Sequence, residues 1–71
     1  MTYTLNTGLV ATDTDMLLAA EEMERSGGGF SEAIALAWFR ADSGNRQRLI
    51  EAFGDLFERW IKVVRAESNW S

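Results

Sequence analysis

No proline interrupts this chain of 71 residues, and its six glycines fall only at positions 8, 27–29, 44 and 54. Proline ends helices because it lacks an N–H and its ring collides with the preceding turn. Its absence predicts long helices, punctuated where glycine or a capping residue stops them. Three segments follow from that punctuation. The first runs over 12–26. Thr12 can cap it, Asp13 and Asp15 suit its positively polarised first turn, and Met16, Leu17, Ala20 and Met23 form an apolar face. Ser26-Gly27-Gly28-Gly29 ends it and reads as a linker. The second segment covers 30–42, with Ser31 as its cap. Ala33 to Phe39 leave it almost no polar face, which predicts a central place in the fold or in an interface.

The third segment covers 44–66, capped by Asp42 or Ser43. Leu49, Phe53, Leu56, Trp60 and Val63 recur at three-four spacing, and Ile50, Phe57, Ile61 and Val64 widen that stripe. Asp55–Arg59 and Glu58–Lys62 stand four apart in the favourable acid-first order. Gly54 is the weak point of this helix and predicts a kink or a break. Residues 1–11 read instead as an extended arm, with Tyr3, Leu5, Leu9 and Val10 alternating around Asn6-Thr7-Gly8. A lone strand must pack on the helices or pair with another copy. The expected fold is therefore one all-α domain over 1–71. It has three helices, or four if Gly54 splits the last, behind an extended N-terminal arm.

Composition excludes much chemistry. The chain has no cysteine and no histidine, which removes disulfides, zinc-finger sites, thiol nucleophiles and histidine-dependent triads. Asp13 and Asp15 offer two oxygen donors without a loop to complete a metal shell. Gly27-Gly28-Gly29 lacks the residues of a phosphate loop. We expect no catalytic residue, no metal, no cofactor and no enzymatic activity. The longest apolar run, Ala33 to Phe39, has seven residues, whereas a membrane span needs roughly 20. No basic region followed by an apolar stretch opens the chain, so a cytoplasmic protein without a membrane partner is expected.

Charge is divided unevenly. Residues 1–35 carry six acids, Asp13, Asp15, Glu21, Glu22, Glu24 and Glu32, against one base, Arg25. Such a surface repels nucleic acid and attracts basic protein surfaces, so these six are the expected partner-binding residues. Arg40, Arg46 and Arg48 cluster near the start of the third helix, where a DNA reader would place them. A sequence pI of about 4.6 argues against direct nucleic-acid binding. Phe30, Trp38, Phe39, Phe53, Phe57 and Trp60 fall at helical spacing and are expected in the core. Tyr3, Leu5 and Trp70 are the expected self-association residues, giving a homodimer if the arm pairs between copies.

About half the chain carries a resemblance. Phe30-Ser31-Glu32-Ala33-Ile34 leads to Ala41-Asp42-Ser43-Gly44-Asn45-Arg46, then Arg48-Leu49, then Ala52-Phe53-Gly54-Asp55-Leu56-Phe57-Glu58-Arg59-Trp60. This pattern resembles small accessory proteins encoded by tailed bacteriophages, in which proline often stands at the place of Gly54. The resemblance implies a phage origin, a bacterial host cell as the setting, and a break near 53–55. It carries over no site residue. Inhibitors of host defence, anti-CRISPR proteins among them, occur in this class. The leading expectation is thus a non-enzymatic inhibitor that docks its acidic helix face on a host nucleic-acid-handling complex, such as a CRISPR–Cas effector. The alternatives are a homo-oligomeric assembly protein and a DNA-binding regulator using Arg46 and Arg48.

Overall fold

The N-terminal arm folds back on itself. A computed structural model describes residues 2–68 and places two short strands, β1 (Thr2–Thr4) and β2 (Val10–Thr12), before three helices, α1 (Asp13–Ser26), α2 (Gly28–Arg40) and α3 (Ser43–Ser68). β1 and β2 pair antiparallel, with Thr2 opposite Thr12, Tyr3 opposite Ala11 and Thr4 opposite Val10. The lone strand expected from the sequence thus finds its partner eight residues on, within the same chain. Asn6-Thr7-Gly8 makes the turn. The Gly8 N–H donates to the Leu5 carbonyl at 2.9 Å, and the Leu5 N–H donates to the Leu9 carbonyl at 2.8 Å. Gly8 has φ +93°, the left-handed conformation that a turn followed by a bulge requires of its last loop residue. Alternation then sends Leu5 and Ala11 into the core and leaves Thr2, Thr4 and Val10 outside.

α1 begins with a capping box. The Thr12 hydroxyl accepts from the Asp15 N–H at 3.1 Å, and the Asp15 carboxylate accepts from the Thr12 N–H at 3.0 Å. Four residues of α1, Met16, Ala19, Ala20 and Met23, are wholly buried. α1 is therefore the central helix, packed by α2 on one flank and α3 on the other, while α2 and α3 touch each other little. The all-apolar look of α2 predicts a central place in the fold or in an interface, and within this chain α2 is not the central helix. It buries only Ser31, Ile34, Ala35 and Trp38, and Ala33, Leu36, Ala37 and Phe39 stay exposed.

The joint between α1 and α2 is tighter than a linker. Gly27 alone separates them, and Gly28 and Gly29 are already helical. A Cβ on Gly27 would lie 2.6 Å from the Met23 carbonyl oxygen and 2.6 Å from the Ser31 Cβ. Ser31 is consequently buried against the joint and caps nothing. Asp42 caps α3, its carboxylate accepting from the Asn45 N–H at 2.8 Å.

α3 is one element with a kink. Phe53 leaves helical geometry at φ −129°, ψ 26°. Such a break strips nearby carbonyls and N–H groups of their helical partners. Two side chains satisfy them: Asn6 Nδ2 donates to the Glu51 carbonyl at 3.1 Å, and Asp55 Oδ1 accepts from the Leu56 N–H at 2.9 Å. Asn6 comes from the hairpin loop and fits only because residue 54 is glycine. A Cβ there would stand 2.1 Å from the Asn6 Oδ1 and 3.3 Å from its backbone nitrogen. The next loop residue, Thr7, hydrogen-bonds Glu58, and that bond, followed by Lys62, holds the Glu58 carboxyl below its ordinary pKa. The Glu58–Lys62 pair forms at 3.0 Å. Asp55 instead spends its carboxylate on the Leu56 N–H, and Arg59 has no ion-pair partner among the described residues.

Core phase in α3 follows the glycine. Ile50, Gly54, Phe57 and Ile61 form the buried row; of the expected leading stripe, Leu49, Phe53, Leu56 and Trp60 are only half-buried at its edge and Val63 is exposed. Gly54 completes the i, i+4, i+7, i+11 row but has no side chain for a hydropathy reading to count. Among the aromatics, Trp38 and Phe57 are core, whereas Phe30 is 63% exposed and Phe39 36% exposed.

Substitution Gly54→Ala normally gains up to about 1 kcal/mol in a helix interior. Here it is expected to destabilise by about 1–2 kcal/mol, because Asn6 must abandon the Glu51 carbonyl. In an Asn6→Ala background the same change is expected to turn neutral or stabilising. Urea unfolding of the four proteins in this cycle measures the coupling. Thr12→Ala is expected to cost about 1 kcal/mol through the lost cap, read as a lower urea midpoint at unchanged slope.

Candidate functional site

Helical phase sorts the acids of α1 onto two flanks. Asp15 and Glu22 lie toward α3, and both are engaged within the chain. The Arg65 guanidinium donates to Asp15 at 3.0 Å and to the Val10 carbonyl at 3.2 Å, tying α3 to α1 and β2. Glu22 pairs with Arg25 and accepts from the Ser26 hydroxyl at 3.4 Å. Glu21 stands on the crest beside Arg25. The six acids therefore do not act as one uniform face: Asp15 joins α1 to α3, and Glu22 is engaged within α1.

The other flank of α1 borders α2. Asp13, Leu17 and Glu24 form a row there with Glu21 beside it, and Glu32, Leu36 and Phe39 form the facing row of α2. Leu17 and Phe39 line a shared recess of about 440 Å³ with Tyr3, Trp38 and Arg46. Leu17 is 46% exposed, although the periodicity had placed it in the core. Glu24 and Glu32 are exposed and have no hydrogen-bond or ion-pair partner among the described residues. The result is an apolar seam of Leu17, Leu36 and Phe39 flanked by carboxylates. The charge was legible in the sequence. The apolar centre was missed because helix-spaced leucine and phenylalanine read as core.

The residues expected to mediate self-association are placed differently. Leu5 is 2% exposed and belongs to the chain's own core, because the hairpin folds inward. Tyr3 is half-buried, its ring edge-on to Trp38 at 5.4 Å between centroids. Trp70 lies outside the described residues. The arginines separate too. Arg46 is a structural residue: its Nε donates to the Trp38 carbonyl at 3.1 Å, and its guanidinium lies 4.8 Å from the centre of the Trp38 ring. Arg40 and Arg48 remain exposed. Among the described residues no three carboxylates gather as a bound metal ion would require. Among the described residues no helix is long and apolar enough to cross a membrane.

Asp15 has a calculable consequence. The Thr12 backbone hydrogen bond, opposed by partial burial and reinforced by Arg65, holds its carboxyl below the ordinary pKa. A depressed folded-state pKa gives stability that is complete above the unfolded value and lost as pH falls through the folded one. Thermal unfolding is therefore expected to show a drop in Tm as pH falls below the ordinary aspartate range. The drop should be smaller in Asp15→Asn, whose Tm is already lower at pH 7.

Comparison with known proteins assigns no relationship: no family model, no curated protein and no solved structure matches this chain.

Proposed function

We propose that this protein is a non-enzymatic inhibitor that docks the α1/α2 face on a basic surface of a host nucleic-acid-handling complex. The observation that carries this reading is the pairing of exposed Glu24 and Glu32 with the exposed apolar seam of Leu17, Leu36 and Phe39. Carboxylates without internal partners speed encounter with a cationic channel, and a desolvated apolar centre then supplies affinity. Glu21 adds to the same potential. The resemblance to tailed-phage accessory proteins supports a defence complex, such as a CRISPR–Cas effector, as the class of target. A carboxylate row on a rigid helix can occupy a groove built for phosphates, excluding nucleic acid by charge and by bulk.

The test uses the tagged protein as bait in nuclease-treated bacterial lysate, with Glu24→Lys/Glu32→Lys and Leu17→Ser/Phe39→Ser as controls. Wild type is expected to retain a nucleic-acid-handling complex and to block its binding of DNA or RNA. Both variants should lose that complex while keeping the helical circular-dichroism signal. Retention that neither variant weakens overturns the reading. Inhibition by the charge variant that equals wild type, at both low and high salt, overturns its electrostatic part.

A further inference from the structure

A second surface carries the opposite charge. α2 and α3 meet through the Phe30–Phe53 and Trp38–Phe57 ring contacts, and two recesses open along their shared edge. At one end Ala37, Leu49 and Ala52 floor a recess of about 500 Å³ with Arg40 and Arg48 on its rim. At the other end Phe30, Phe53 and Leu56 line a recess of about 300 Å³ beside Arg59 and Asp55. Both recesses lie along the edge where α2 meets α3. Phe30, Ala33 and Ala37 stand three or four apart on α2, and Leu49, Ala52, Phe53 and Leu56 lie on one side of α3. Phe30 stacks edge-on against Phe53 at 5.7 Å, closing that end.

The charges of the groove are unspent. Of the seven basic residues, Arg25, Lys62 and Arg65 are ion-paired and Arg46 lies on Trp38. Arg40, Arg48 and Arg59 have no ion-pair or hydrogen-bond partner among the described residues, and all three border this groove. Asp55 is the one carboxylate among its lining residues, and it is engaged by the Leu56 N–H.

We propose that the α2/α3 groove receives an acidic amphipathic helix of a partner protein. The α2 edge from Phe30 to Arg40 measures about 15 Å at 1.5 Å per helical residue, which suits a docked helix of a little under three turns. The alanine floor lets a helix backbone approach closely, as in ridge-and-groove packing. The partner's apolar row lies on that floor, and carboxylates on its flanks meet the three arginines. A two-fold copy of this chain fits poorly, because it would set these arginines against their own equivalents. A nucleic-acid backbone fits poorly too, since phosphates favour a polar track over an alanine floor. This proposal goes beyond the inhibitor reading and uses a different surface.

The experiment selects binders to the full chain from a display library of random helical peptides, then measures recovered peptides by fluorescence anisotropy. Recovered peptides are expected to be net acidic, with apolar residues at i, i+3 or i+4, and i+7. Arg40→Glu/Arg48→Glu should weaken them about tenfold or more, with an unchanged melting curve. Ala37→Trp should block them without altering charge. Glu24→Lys/Glu32→Lys should leave them bound, so failure here is distinct from failure of the inhibitor reading. Recovery of no peptide, or of basic or neutral ones, overturns the proposal, as does binding that survives both groove variants. Self-association in sedimentation, or a duplex DNA gel shift, that Arg40→Glu/Arg48→Glu abolishes would overturn it in favour of a second copy or a nucleic acid.

Discussion

The Asn6 amide on the Glu51 carbonyl, seated where Gly54 has no side chain, is the contact on which the arrangement of this molecule turns. A helical break at Phe53 would be costly if its freed carbonyl met nothing. The hairpin loop supplies the donor, and the missing Cβ makes room for it. With the loop fixed there, Leu5 and Ala11 enter the core and Tyr3 rests on Trp38. Thr7 on Glu58 and Arg65 on the Val10 carbonyl then bind the far half of α3 to the same hairpin. A two-stranded hairpin of six paired residues is marginal alone. Here it is held by α3, and it holds the kink in return.

That clamp explains why the apolar surface is divided as it is. α1 sits in the middle and is sealed by small and flexible residues, Ala19, Ala20, Met16 and Met23. α2 and α3 both pack mainly on α1, so each keeps an outer apolar edge. A chain of 71 residues, 46% of them hydrophobic, has more apolar surface than one three-helix core can enclose. The excess is not scattered. Leu17, Leu36 and Phe39 mark the α1/α2 seam among carboxylates, and Phe30 with the alanines of α2 marks the α2/α3 groove among arginines. Internal ion pairs engage Asp15, Glu22, Arg25, Glu58, Lys62 and Arg65. Glu24 and Glu32 stand beside the first of these apolar patches, and Arg40, Arg48 and Arg59 beside the second.

Local chemistry was legible in the amino-acid sequence. Thr12 and Asp42 cap helices because an oxygen side chain three residues before an open N–H acts within one turn of chain. The break near Gly54 and the acidic bias of α1 were equally open to reading, being properties of neighbouring residues. Tertiary structure decided what depends on distant partners. The Asn6 and Arg65 contacts join residues 45 and 50 positions apart, and no pattern in either segment announces the other. Those contacts turn the arm into a hairpin and make Ile50, Gly54, Phe57 and Ile61 the core row. They also withdraw Asp15 from the charged surface, while Leu17 and Phe39 are left outside. Periodicity says that a helix has an apolar side; only packing says which of two adjacent rows is inside, because that choice is made by the surfaces it meets.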